Sequence, residues 1–131
     1  MGKYSKGANA ERELQKMLEE EGFSVIRSAG SHVIDLVAGN NDKYLCIEAK
    51  TTKKEKVYLK EKDKQKLLNF TQDFGGTPFF AVKLTRRGWW FLEPENLLET
   101  NKGYKITEKH LKKQGKDFKE FIGESKQEKL I

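Results

Sequence analysis

A chain of 131 residues, 36% hydrophobic and 35% charged, is long enough for one core but not for two. Its net charge of +6 makes a polyanion the expected partner, nucleic acid ahead of an anionic membrane. No stretch reaches the roughly 18 apolar residues of a membrane helix. The single cysteine, Cys46, excludes an internal disulfide, argues against a thiolate zinc site and sits in an apolar run as a small buried hydrophobe.

The opening "MGKYSKGANAERE" has no apolar core of a signal peptide, and Lys6 breaks the myristoylation pattern. A cytoplasmic, nucleoid-associated protein with no membrane partner is expected. A helix is predicted from about Lys6 to Glu21, with Leu14, Met17 and Leu18 as its apolar stripe and Gly22 as its stop. "FSVIRSAG" reads as a first strand and "HVIDLVAG" as a second. "GNND" turns the chain into "KYLCIEAKT", a third strand paired with the second as an antiparallel hairpin. The charged residues 60–66 open a second helix, in which Leu67, Phe70, Thr71 and Phe74 recur at helical spacing before Gly75 and Gly76 end it. "TPFFAVKL" and "GWWFLEP" form strands four and five around a turn at Thr85 to Gly88. In the second of these one of Trp89 and Trp90 is core and the other surface. Beyond Pro94 the pattern weakens to a short turn near Leu97 and a basic helix from about Thr107. The expectation is a single α/β domain: a central mixed five-stranded sheet flanked by helices, with its core over about residues 6–94 and a basic extension over about 101–131.

Charge inside apolar strands is the feature that points to chemistry, since burying an unpaired ion costs several kcal/mol. Glu48 and Lys50 share a strand face, and Asp35 lies on the neighbouring hairpin strand within reach of it. Two carboxylates converging on one point repel unless a cation lies between them. Oxygen ligands without His or Cys favour Mg²⁺, or Mn²⁺ in its place, over zinc. Such an ion would polarise a phosphodiester, with the lysine beside it stabilising the phosphate charge: hydrolysis of a nucleic-acid backbone. The bland alternative, Lys50 paired with Glu48 or Asp35 at a strand end, accounts for E-x-K alone; the hairpin and its sheltering apolar runs favour chemistry. Glu11 lies on one helical line with Leu14 and Leu18, so it either faces the sheet or serves as a helix-start glutamate.

Over most of residues 6–94, through "KGANAERELQKMLEEEGFSVIRSAGSHVIDLVAGNNDKYLCIEAKTTKK", "YLKEKDKQKLLNFTQDFGGTPFFAVKL" and "GWWFLEP", the chain resembles the archaeal Holliday junction resolvases of the PD-(D/E)xK nuclease superfamily. The resemblance implies a restriction-endonuclease-like core and a homodimer that cuts four-way DNA junctions symmetrically. It implies that Glu11, Asp35 and Glu48 are metal-site carboxylates, that Lys50 is the catalytic lysine, and that Ser31 lies near the scissile phosphate. Arg12 and Arg27 match basic positions tied to DNA, and Phe70 and Phe74 match aromatics of a dimer interface. Lys6, Lys53, Lys54, Lys60, Arg86 and Arg87 supply further charge for DNA. Ala49 departs from the larger aliphatic expected there. A nuclease of the same fold acting on another branched or duplex DNA, and an inactive junction-binding module, are the alternative functions.

Overall fold

The computed structural model of the protein describes residues 2–29, 33–85 and 87–123, with side chains from residue 7 onward. Helix α1 runs over Gly2–Glu20 and is followed by β1 (Ser24–Arg27), β2 (Leu36–Gly39), β3 (Tyr44–Thr52) and β4 (Lys56–Leu59). Helix α2 (Glu61–Phe74) leads into β5 (Thr77–Leu84) and β6 (Gly88–Leu92). A 3₁₀ turn (Pro94–Asn96) precedes β7 (Leu98–Thr100), β8 (Gly103–Thr107), α3 (Glu108–Gln114) and β9 (Lys116–Asp117), and residues 118–123 are again helical.

The main sheet has the order β1-β2-β3-β5-β6-β9. Its one parallel pair joins β3 to β5, and the connection between them carries α2, as a parallel crossover requires. The other neighbours are antiparallel. The five expected strands are therefore present and adjacent, and the two-residue β9 adds a sixth. Alternation along β3 sends Leu45, Ile47 and Ala49 to one face, with Leu14 and Leu18 of α1, and Cys46 to the other, with Leu67 of α2. Of the paired tryptophans, Trp89 is core, as expected of one; Trp90 is half-buried against the second cluster rather than on the surface.

Helix α2 starts where expected because the Asp63 carboxylate accepts the Lys60 N–H at 2.8 Å. It ends because Gly75 and Gly76 adopt φ of +86° and +130°. At Gly76 a Cβ would stand 2.6 Å from the Tyr44 carbonyl, so this close approach to β3 admits only glycine.

Two parts of the architecture differ from the sequence expectation. Strands β4, β8 and β7 form a separate antiparallel sheet, in that order. Each is short and broken by lysine or glutamate; β7 and β8 form a tight hairpin around residues 101 and 102, but β4 joins β8 across more than 40 residues, so no local signal announces the sheet. The second concerns the extension expected from about Asn101, whose described part is core rather than an appendage. Ile106 and Leu111 belong to the α2-side cluster, and Phe121 and Ile122 to the α1-side cluster. The Phe121 ring stacks on Phe91 at 4.0 Å and meets Phe79 edge-on at 4.9 Å. The lysines around these residues mask a stripe only two or three residues wide. A core that ended near residue 94 would make Phe121→Ala neutral; the observed packing predicts a loss of about 3–5 kcal/mol in urea unfolding.

Candidate active site

The β2–β3 ladder pairs Leu36 with Ile47 and stops there. One step further in the same register Asp35 would stand opposite Glu48. Two carboxylates opposed across an antiparallel pair are unfavourable, and the ladder gives way to a different set of bonds. The Asp35 N–H donates to Glu48 Oε1 at 3.2 Å, and the Ala49 N–H donates to Asp35 Oδ2 at 2.8 Å. Each carboxylate thus accepts from the main chain of the opposite strand, replacing ladder bonds with charge-assisted ones. The Ser28 N–H binds the Asp35 carbonyl at 2.9 Å and fixes the other side of the same residue. Ser31 lies outside the described residues, as do Arg86 and the side chain of Lys6.

Glu48 is buried, with 3% of its surface exposed. Its second oxygen, Oε2, meets Lys66 Nζ of α2 at 3.0 Å. Burial first, and then the charge of Asp35, raise the Glu48 carboxyl above its usual range against the opposing pull of Lys66 and Lys50. Lys50 follows on the same face and makes no hydrogen bond or close ion pair among the described residues. The bland pairing of Lys50 with Glu48 or Asp35 is therefore not what the structure contains, since Lys66 takes that place.

Glu11 approaches from the other layer. Helix α1 packs on the opposite face of the sheet, and from there Glu11 feels the charge of Asp35. Arg27 of β1 pairs with Glu11 at 3.7 Å, too long for a hydrogen bond, and the Arg27 Nε is buried with no hydrogen-bond partner among the described residues. Burial, then Asp35, push the Glu11 carboxyl up, while Arg27 and Arg12 pull against them. The three expected carboxylates form a chain with Asp35 in the middle, not a tight triangle. Among the described residues no three His, Cys, Asp or Glu side chains come close enough to hold an ion together.

The basic residues divide. Arg12 is exposed and bonds Asn9 at 3.2 Å. Lys53 and Lys54 are exposed in the bend after β3, and Lys60 is exposed at the start of α2. Arg87 is ion-paired with Glu108 of α3 and so is not a free cation. A cleft of about 670 Å³ opens between α1 and the ends of β3 and β5, lined in part by Asn9, Thr51, Lys53 and Lys83. On α2, Phe70 stacks on Phe74 at 5.5 Å, and Phe74 meets Tyr44 edge-on at 6.3 Å. Phe74 and Tyr44 remain 48% and 51% exposed, so this aromatic cluster is only partly covered.

The model of the archaeal Holliday junction resolvases (Hjc) matches residues 2–130. The chain belongs to this family. The crossover junction endodeoxyribonuclease Hjc of Methanocaldococcus jannaschii is 44% identical over 128 residues, covering 98% of this chain and 95% of that protein. The Hjc of Archaeoglobus fulgidus is 40% identical over 109 residues, covering 79% of this chain and 80% of that protein. The solved structure of the Archaeoglobus fulgidus Hjc, described as a Holliday junction resolvase, matches with a TM-score of 0.85 at 38% identity, covering 91% of this chain and 97% of that one. The α/β sheet expected from the resemblance is the fold of that resolvase.

Lys66 is the site residue that sequence reasoning missed in this resolvase. It extends the line of Phe70 and Phe74 by one helical step, directly before the buried Leu67. A lysine flanking a buried stripe is a signal for a charge turned towards the core, but the five other charges in residues 60–66 concealed it.

The raised Glu48 carboxyl gives a signed pH dependence. A group whose folded pKa is raised contributes its stability below its ordinary value of 4.5, and loses it as pH rises through the folded value. Glu48→Gln should therefore raise the thermal midpoint in metal-free buffer at neutral pH, with the advantage vanishing below about pH 4.5. A lower midpoint at neutral pH would mean that the Lys66 pair outweighs the cost of burial.

Proposed function

We propose that the protein is a Mg²⁺-dependent endonuclease that acts as a homodimer, resolving four-way DNA junctions by hydrolysing one phosphodiester in each of two symmetry-related strands. The observation that carries this reading is the meeting of Asp35 and Glu48 where the β2–β3 ladder breaks, with Lys50 on the same face and unpaired among the described residues.

The donor set fits a small hard cation. Mg²⁺ is commonly held by one or two carboxylates, with water and substrate phosphate completing its shell, so a third protein ligand is not required. Asp35 and Glu48 would hold it, and Asp35 keeps Oδ1 clear of the bond that Oδ2 makes to Ala49. Mn²⁺ offers the same preference for oxygen and could replace it. Glu11, next to Asp35, would act on the ion's water shell or hold Arg27 in place. When bound, the ion supplies Lewis-acid polarisation of the phosphodiester and lowers the pKa of water. Lys50, with no hydrogen bond or close ion pair among the described residues, donates to the phosphate oxygens as negative charge builds on them, or orients the attacking water. The main-chain bonds at Asp35 and Ala49 fix both strands before substrate arrives, which limits the reorganisation needed at the moment of reaction.

Recognition rests on phosphate contacts. Lys53, Lys54 and Lys60 are exposed near the end of β3 and the start of α2, on the chain that follows Lys50. Binding carried by such contacts falls steeply with salt. The junction's two-fold symmetry calls for two identical sites at fixed separation, which an isologous dimer provides. The half-covered cluster of Tyr44, Phe70 and Phe74 is the apolar surface that supports a dimer, and it begins about 6 Å along α2 from Lys66.

The test uses a labelled four-way junction and a matched linear duplex, each with Mg²⁺ or EDTA. Paired symmetric nicks in the junction alone are expected, lost with EDTA and lowered on the order of 100-fold or more in Asp35→Asn. Junction binding should persist in that variant. Equal cutting of both DNAs would keep the nuclease and remove the resolvase; tight binding without cutting under any metal would favour the binding module. Phe74→Glu should give monomers by sedimentation velocity and uncouple the paired cuts while leaving the fold intact, since the ring is half exposed.

A further inference from the structure

We propose that Lys66 is a resident counter-ion that holds Glu48 in the metal-free protein and must release it when a divalent cation enters, so that this lysine sets how readily the site takes up metal. The inference rests on the metal-dependent reading above. Both oxygens of Glu48 are engaged: Oε1 by the Asp35 N–H at 3.2 Å and Oε2 by Lys66 Nζ at 3.0 Å. An ion that uses Glu48 comes in beside one of these donors, and its charge acts against the ammonium far more than against the neutral N–H. The N–H belongs to main chain pinned by the Ala49–Asp35 and Ser28–Asp35 bonds, so it stays. The lysine is a flexible side chain on a fixed helix. Its helix is anchored by buried Leu67 and Thr71 and capped by Asp63, whereas the Lys66 side chain is 29% exposed and has a route out.

Leaving Lys66 in place beside a divalent ion on the same carboxylate would set two cations within a few ångströms in a buried site, where charge repulsion is poorly screened. Lys66 is therefore a competitor for metal, not a ligand helper. Lys50 differs: among the described residues it holds no close ion pair to surrender, which leaves it to the substrate. A released Lys66 ammonium needs another anion, and the phosphates of DNA at this edge of the sheet supply one. Metal and DNA would then each favour the other's binding, and the linkage is reciprocal. Lys66 acts through Glu48 and is a positioning residue, not a catalytic one.

The experiment titrates Mn²⁺ into the full chain and reads free Mn²⁺ by electron paramagnetic resonance, at about pH 8 where carboxylates are ionised. Lys66→Gln keeps an N–H donor for Glu48 but removes the charge; Lys66→Arg keeps the charge; thermal melts confirm that both are folded. Without DNA, Lys66→Gln is expected to bind Mn²⁺ about 10-fold more tightly than the unaltered protein, with Lys66→Arg close to it. With a four-way junction present, the gap between Lys66→Gln and the unaltered protein should narrow. Equal or weaker Mn²⁺ binding by Lys66→Gln overturns the proposal while leaving the metal site standing. No Mn²⁺ binding by the unaltered protein, with or without DNA, overturns the metal-dependent reading itself.

Discussion

The antiparallel ladder between β2 and β3 stops one residue pair before two carboxylates would face each other, and the site is built on that interruption. A continued ladder would oppose Asp35 and Glu48 with nothing between them. Breaking it frees the Asp35 and Ala49 N–H groups, and the two carboxylates accept them in exchange. The exchange fixes the carboxylates to the backbone of rigid strands, so their geometry does not depend on side-chain packing alone. It also exposes the second half of β3, which carries Lys50, on the side that β2 would otherwise cover. Burial and the charge of Asp35 push the Glu48 and Glu11 carboxyls up, against the pull of the nearby Lys66 and Arg27, so the arrangement sets desolvation against ion pairing.

Helix α2 ties several features together. It supplies the crossover that makes β3 and β5 parallel, buries Leu67 against the sheet and sends Lys66 to Glu48. The same line of residues continues to Phe70 and Phe74 at the exposed aromatic cluster. One helix face thus passes from the charged site to an apolar surface within about two turns. Whatever fixes that surface also fixes the position from which Lys66 acts.

Much of this was legible in the sequence. Strand alternation put Glu48 and Lys50 on one face, and the four residues between Gly39 and Tyr44 set the register that brings Asp35 opposite Glu48. The Gly75–Gly76 pair stopped α2 where its φ values require. What could not be read was carried by long-range pairing. The small sheet joins β4 to β8 across the whole of α2, β5 and β6, and short strands broken by charge leave no period to follow. Phe121 and Ile122 were hidden by the lysines around them, although two large apolar residues side by side in a basic segment are themselves a sign of burial. For Glu11 the sequence left two readings open, facing the sheet or starting the helix, and helical periodicity cannot say that it arrives from the layer opposite Glu48. Lys66 escaped because seven consecutive charged or amide residues from Lys60 look alike until one of them finds a partner.

Among the described residues no strand pairs with the second half of β3 on the β2 side, and this has a consequence unrelated to catalysis. An uncovered strand edge offers unpaired main-chain groups to any other strand, and proteins that leave one open tend to associate edge to edge. Here that edge carries Asp35 folded over Ala49, the charge of Lys50, and Lys53 and Lys54 at its exit. Charges of this kind are what other sheet proteins use to keep strangers from adding a strand. The residues that suit the site for chemistry are therefore also of the kind that discourages edge-to-edge pairing. A descendant of this fold that gave up cutting DNA could not discard them freely, because neutral side chains in their place would leave a flat strand open to aggregation.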